Sequence, residues 1–254
     1  MKTLAVFVVV GIPFSFAQPE AGPSEQANPW GFRVAQLIDA PFAQRLNEKS
    51  GSLLEVNATV ETGTLIATNE KAKVEMVAES GETFRLGSKS VVVFPVGRHF
   101  RMKAGSALLH LPSGSSPIPF LSPLCQVEIS GFGALVIQVT GNGGFKAIGL
   151  SGEPKVTLTD GSSRLVKPGN LTFVLETPGK FGPVLDIDLL TLVSTSNLIS
   201  GFEAPLACNG ELMQAMLLQR TRIRQRTRAF VGDAKDNQNF QLLNVSEGKG
   251  SKQE

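Results

Sequence analysis

Two histidines, His99 and His110, and two cysteines, Cys125 and Cys208, are the whole stock of these reactive side chains in the 254-residue chain. Nucleophilic hydrolysis requires a nucleophile with a base in hydrogen-bond reach, so a histidine base would have to be one of those two. Gly149-Leu150-Ser151-Gly152 lacks the spacing of a nucleophile elbow. Ser246-Glu247-Gly248-Lys249 spells Ser-x-x-Lys, but it stands in a low-complexity tail that cannot hold a rigid site. Asp186 and Asp188 flank Ile187 and are read as a solvent-facing pair on one side of a strand rather than as an acid and a base. His99 and His110 lie far apart in sequence with no cysteine or acidic cluster beside them, so no zinc finger, iron–sulfur cluster or other metal site is expected. Gly131-Phe132-Gly133 and Gly141-Asn142-Gly143-Gly144 are glycine-rich, yet a phosphate cradle must lead into a helix and these lead into strands. The chain is therefore expected to be no enzyme and to need no cofactor.

Binding chemistry is better represented. Arg220, Arg222, Arg224, Arg226 and Arg228 form the densest charge cluster. On a helix turning about 100° per residue, Arg220, Arg224 and Arg228 fall on one side and Arg222 and Arg226 on the other. Leu212, Met216, Ile223 and Phe230 then form an apolar stripe between them that would dock on the rest of the protein. The arginines are either solvated or contact an anionic lipid, an acidic polysaccharide or an acidic partner. Nucleic acid is not expected, because the net charge is only +2 and the chain reads as exported. In an exported chain Cys125 and Cys208 are open to a disulfide, which would stabilise by about 4 to 5 kcal/mol through lost chain entropy. Cys125 follows Pro123-Leu124 and is equally readable as a buried thiol.

The elements that must carry these residues divide the chain. Lys2 followed by the apolar run Leu4–Phe16 reads as a signal peptide of residues 1–17, cleaved between Ala17 and Gln18. That run is interrupted by Pro13 and is too short to anchor, and no later stretch spans a bilayer. Residues 18–29 form a polar, proline-rich leader, and 30–176 a β domain of short apolar runs punctuated by turns. Ser80-Gly81, Asn142-Gly143 and Asp160-Gly161 are predicted hairpin turns, because Asn, Asp and Gly tolerate the positive φ that tight turns demand. Val91–Phe94 and Ala134–Ile137 are continuous apolar runs, the pattern of strands buried on both faces. A linker at 177–210, a basic amphipathic helix at 211–231 and a disordered tail at 232–254 complete the reading. With hydrophobic residues at 42% and charged residues at 18%, the chain has enough apolar content for a core. Asn57, Asn170 and Asn244 open Asn-x-Ser/Thr strings that matter only in a eukaryotic secretory pathway.

The order of short motifs in the β region resembles the FecR domain of Gram-negative envelope sensors. Gly63–Thr68 is similar to that family's opening turn and strand, and Glu79-Ser80-Gly81-Glu82-Thr83-Phe84-Arg85-Leu86-Gly87 to its acid, Gly, strand, Leu-Gly hairpin. Phe100–Leu109 is similar to its Lys-x-Gly-x-Leu strand, and Leu165-Val166-Lys167-Pro168-Gly169-Asn170 to its closing turn. Ile129-Ser130-Gly131-Phe132 stands where Val/Thr-x-Gly-Thr is usual, with Phe132 in place of Thr, and Asn69 stands where Gly is common. The resemblance covers about 110 residues, Gly63 to Val174. It implies an all-β domain of two packed, twisted sheets with roll-like winding, no cofactor and no catalytic centre. It further implies a periplasmic or cell-surface role in envelope sensing, with a signal peptide where the anti-sigma region would stand. The expected partner is an unidentified envelope protein. The alternative is a scaffold binding surface polysaccharide or anionic lipid through the basic helix.

Overall fold

The computed structural model describes residues 30–175, 179–222, 228–230 and 241–243. Its first strands are β1 (Phe32–Ile38), β2 (Phe42–Arg45), β3 (Ser52–Leu53), β4 (Thr59–Val60), β5 (Thr64–Ala67), β6 (Lys73–Ala78) and β7 (Thr83–Leu86). Then come β8 (Val91–Phe94), β9 (Phe100–Ala104), β10 (Ser106–Leu111), β11 (Ile118–Leu121), β12 (Gln126–Ser130) and β13 (Gly133–Val139). β14 (Phe145–Gly152), β15 (Lys155–Leu158), β16 (Ser163–Leu165), β17 (Asn170–Leu175) and β18 (Lys180–Ile187) follow. Three helices, α1 (Leu189–Thr195), α2 (Asn197–Ser200) and α3 (Asn209–Arg222), precede the short strands β19 (Arg228–Phe230) and β20 (Gln241–Leu243).

The strands make two sheets. The larger is ordered β20-β19-β18-β17-β14-β13-β10-β7-β6-β1-β4 and the smaller β16-β15-β12-β11-β9-β8-β5-β2-β3. Period-two side-chain alternation sends one set of residues from each strand into the space between the sheets. There Phe32 and Phe84 of the larger sheet meet Phe94 and Phe100 of the smaller, with the Phe84 ring 5.3 and 5.1 Å from the latter two. Phe120 and Phe145 extend this aromatic seam at 4.9 Å, and large rings packed at such angles bind beyond their buried area. The expectation of an all-β fold with two packed sheets and a C-terminal helix is met.

The three predicted turns close hairpins β6–β7, β13–β14 and β15–β16. At the second, Gly143 has φ 85° and its N–H donates to the Thr140 carbonyl at 2.9 Å, a backbone angle that favours glycine. Val91–Phe94 and Ala134–Ile137 are strands with both faces largely covered.

The C-terminal third departs from its expected divisions. The stretch 177–210 is no linker: β18 pairs antiparallel with β17 and extends the larger sheet, and α1 and α2 follow it. The helix begins at Asn209 and ends at Arg222, so Arg228 and Phe230 sit in a strand parallel to β18 and not on a helix. Arg220 and Arg222 lie on α3 as expected, and Arg228 does not. β20, inside the stretch expected to be a disordered tail, pairs with β19 through Leu242 and Leu243. The signal peptide and leader, Arg224, Arg226, Ser246–Lys249 and Asn244 lie outside the described residues.

Candidate functional site

Alternation that fills the inter-sheet core with one half of each strand leaves the other half on the outer face of the larger sheet. One row on that face runs across seven strands by register: Gln36, Glu75 and Arg85, then Leu108, Val136, Ile148 and Leu171. The first three residues are polar and the last four apolar, so the two halves need different covers. The C-terminal helices supply both.

Over the apolar half, Leu189 and Leu192 of α1, Leu198 and Ile199 of α2, and Leu206, Cys208 and Leu212 pack on Leu108, Val136, Ile148 and Leu171. α1 is placed by two side chains. Asp188 accepts the Thr191 N–H at 3.1 Å as its N-cap, and Gln219 of α3 bridges the strand-to-helix corner. The Gln219 amide donates to the Ile187 carbonyl at 2.5 Å and accepts the Leu189 N–H at 2.9 Å. Such caps satisfy main-chain groups that a helix end otherwise strands.

The polar half is held by Arg85, whose side chain is 0% exposed. Its Nε donates to Glu75 at 2.5 Å, Nη1 to the Ile199 carbonyl at 2.7 Å and Nη2 to the Ala204 carbonyl at 2.9 Å. The guanidinium lies 4.3 Å from the centre of the Phe202 ring, a cation–π contact. Gln36 donates to the other face of this network, to Glu75 at 2.7 Å, and accepts the Ala204 N–H at 2.9 Å. A charge this deeply buried is tolerated because it is paired and its donors find acceptors. Two side chains of the sheet, Arg85 and Gln36, thus grip the main chain of residues 199–204 with Glu75 bridging them, while the cover turns its other side outward. On α3, Met213 and Leu218 are 48% and 52% exposed and Leu217 66%, next to exposed Arg220.

A second polar cluster lies at the end of the sandwich that carries the β6–β7 turn. Glu82 is buried there and takes hydrogen bonds from Ser80 and Arg98, and the Arg98 guanidinium lies 5.5 Å from the Trp30 ring. Burial alone would raise the Glu82 carboxyl, but the bonds from Ser80 and Arg98 hold it below its ordinary range. A groove of about 530 Å³ opens at the side of the sandwich where the short edge strands β3 and β4 end their sheets. Leu54 and Val60 form part of its floor, and Leu53 and Glu55 part of its walls. Phe42, Leu46 and Val56, in the same loop and strand region, are exposed.

Residues singled out by sequence are mostly dispersed. His99 precedes β9 in the smaller sheet and His110 lies on β10 in the larger, and burial pushes both imidazoles below the usual range. Among the described residues no group of three His, Cys, Asp or Glu side chains stands together as a metal site. Asp186 and Asp188 are not a strand-side pair, because β18 ends at Ile187. Asp186 accepts from Asn170 at 2.7 Å, and Asp188 caps α1. Gly133 (φ 103°) is a turn glycine at the β12–β13 corner, where an added Cβ would strike the Ser151 carbonyl.

The disulfide left open by sequence is not formed, since Cys125 and Cys208 are separate buried thiols. Cys125 belongs to the core between the sheets and Cys208 to the core under the helices, with the larger sheet between them. Burial raises both thiols above their ordinary value, which suppresses the reactive thiolate. Of the five arginines, Arg220 is an exposed side chain of α3, Arg222 ends that helix and Arg228 begins β19.

The Arg85 network went unread in the sequence. Its signal was there: the Ser80-Gly81 turn sets opposite Glu75 and Arg85, and each stands between two apolar residues. An acid facing a base across a hairpin, both flanked by core positions, marks an outer face that is covered.

No family model and no curated protein matches the chain. Among solved structures it is similar to a 1.65 Å crystal structure of a proposed anti-sigma factor from Parabacteroides distasonis, at 15% identity and a TM-score of 0.39. The match covers 48% of this chain and 59% of that one, so the chain spans less than two thirds of that protein's length. Among the described residues, no helix is long and apolar enough to cross a membrane.

Proposed function

We propose that the chain is a non-enzymatic, exported interaction domain of the FecR type, acting in envelope sensing or signal relay. The observation that carries this reading is the groove between the edges of β3 and β4, with exposed Leu53 in its lining and exposed Phe42 paired to Leu53 across β2 and β3. Large apolar side chains gathered in one exposed region are a feature of partner-binding faces. The ordered FecR-like motifs, falling on hairpins of a two-sheet fold, support the family part of the reading. A photo-crosslinking amino acid at Leu53 or Val56, in the chain expressed in its own cell, should yield adducts with an envelope protein. N-terminal sequencing of that chain should begin at Gln18. Adducts confined to cytoplasmic proteins, or full-length chain retained in the cytoplasm, would overturn the reading.

A second reading, a scaffold that holds an anionic surface through its C-terminal arginines, is favoured by exposed Arg220 at the start of the run Arg220–Arg228. Replacing Arg220, Arg222, Arg224, Arg226 and Arg228 by Gln should abolish salt-sensitive retention on anionic surfaces, since ions screen such contacts over about 8 Å in physiological salt. Unchanged retention would remove this reading.

A further inference from the structure

We infer that the groove between β3 and β4 receives an extended, basic segment of a partner protein, which enters as an added strand and pairs with both sheets. This rests on the first reading above and names the form in which that partner is recognised. Each sheet ends here in a strand of two residues, β3 or β4. In an antiparallel ladder, alternate residues turn their N–H and C=O toward the neighbouring strand, and the residues between them turn theirs away. The Leu54 N–H donates to the Pro41 carbonyl and the Val34 N–H to the Ala58 carbonyl, both at 2.9 Å. Those bonds fix the phase of each ladder. Leu53, opposite Phe42, and Thr59, opposite Arg33, therefore turn their main-chain groups away from β2 and β1 to the open side. Both residues are exposed, and both line the groove.

Spacing suits a single strand. Packed sheets lie about 10 Å apart and neighbouring strands about 4.8 Å, so a segment laid midway between the two edges comes within pairing distance of both. Its side chains then alternate between interior and solvent. The inward set meets Leu54 and Val60 on the floor, and the outward set passes Glu48 and Glu55. Charge selects the occupant. Arg45 is the one cation in the lining among the described residues, and Glu61 holds it at 2.6 Å. Glu48 and Glu55 are exposed and enter no ion pair among the described residues. Lys49, also exposed, does not line the groove. Lys or Arg at the outward positions of an incoming segment answers those two acids, whereas a second copy of this chain would bring the same acids against them. A small molecule has no repeating donor and acceptor to answer two edges at once, and a peptide main chain has.

The test pans a phage-displayed library of random heptapeptides against the chain from Gln18 to Glu254, the exported form proposed above, and measures the selected sequences as free peptides. They should alternate apolar residues with Lys or Arg. Binding should weaken with added salt, and Glu48→Gln with Glu55→Gln should remove that salt dependence. Thr59→Pro removes only the outward N–H, at an edge position where proline is tolerated, so the urea midpoint should stay put while affinity falls by about fivefold. N-methylation of the peptide leaves the protein untouched and decides the matter even if Thr59→Pro does not fold. Successive amides of a bridging segment face opposite edges, so methylating either of two central neighbours should weaken binding by about fivefold. If only one of the two matters, the segment pairs with a single sheet and the bridge is overturned. A library that yields no binder, or binders indifferent to methylation, overturns strand addition altogether. The crosslinker at Leu53 tests the broader reading separately: adducts with an envelope protein beside methylation-insensitive peptides would leave that reading standing and remove this inference.

Discussion

The two faces of the larger sheet are built from the same strands and solved by different means. Its inner face meets the second sheet through Phe32, Phe84, Phe94, Phe100, Phe120 and Phe145, an aromatic seam that excludes water by area. Its outer face is only half apolar, and there a few directed bonds between residues 199–204 and Arg85 and Gln36, both held by Glu75, complete the cover. Apolar area is non-directional and hard to remove piecemeal. Hydrogen bonds to named carbonyls are directional and fail one at a time. The difference marks the inner seam as the condition for folding and the outer cover as a layer that can loosen by itself. Detaching residues 199–204 would return Arg85 and Glu75 to water, which recovers hydration and lowers the cost of opening there. Detaching α1 and α3 would expose Leu108, Val136, Ile148 and Leu171 with no such return.

The largest effect should come from the seam. Phe84→Ala removes the ring that touches both Phe94 and Phe100 and should cost about 3 to 5 kcal/mol, read as a urea midpoint shift with one cooperative transition. A loss below about 1 kcal/mol would mean that the seam is not the common core. Next is the clamp: Arg85→Met strands a buried Glu75 and should cost about 3 kcal/mol, with hydrogen exchange rising first in 199–222. Adding Glu75→Met should recover most of that loss, because a charge-free pair has no stranded ion. If exchange rises equally in β6, β7 and the helices, the cover is not separable and the contrast between the faces is broken. Smaller again is Asp188→Ala, which removes the α1 cap and should cost about 1 kcal/mol, confined to α1 and its neighbours.

How far the sequence reached follows the same division. The hairpins at Ser80-Gly81, Asn142-Gly143 and Asp160-Gly161 were legible because a turn is decided by the residues within it. Strands such as Val91–Phe94 were legible because two-faced burial leaves a continuous apolar run. β18 was missed because its Gly182-Pro183 pair reads as a break, and pairing with β17 overrides that local signal. The clamp was missed because a charged residue at an outward strand position is ordinarily solvated, and what covers Arg85 lies more than a hundred residues downstream. Arg220–Arg228 drew attention as a charge cluster, yet α3 ends at Arg222 and Arg228 begins β19.

Acid should separate the two faces most gently. His110 lies on the outer side of β10, opposite Thr83 and Ala134. Its Nδ1 is buried and finds no hydrogen-bond partner among the described residues. Burial pushes its imidazole below the ordinary value, and Glu211 of α3 and Glu82 of the β6–β7 turn oppose that only in part. The unfolded chain therefore takes up this proton first as pH falls through about 6.5, and stability drops until the folded-state value is passed. His99, also lowered by burial and by Arg101, contributes in the same direction from the smaller sheet. Below about pH 4.5 a separate loss begins as Glu82, held low in the fold, is protonated. His110→Gln should flatten the decline in urea midpoint between pH 7.5 and 5.5 and slow exchange of α3 amides at the lower pH. His99→Gln should flatten the midpoint without a selective effect on α3. Equal effects of the two substitutions on α3 would show that protonation under the cover is felt by the whole sandwich, and the outer layer would then have no stability of its own to lose.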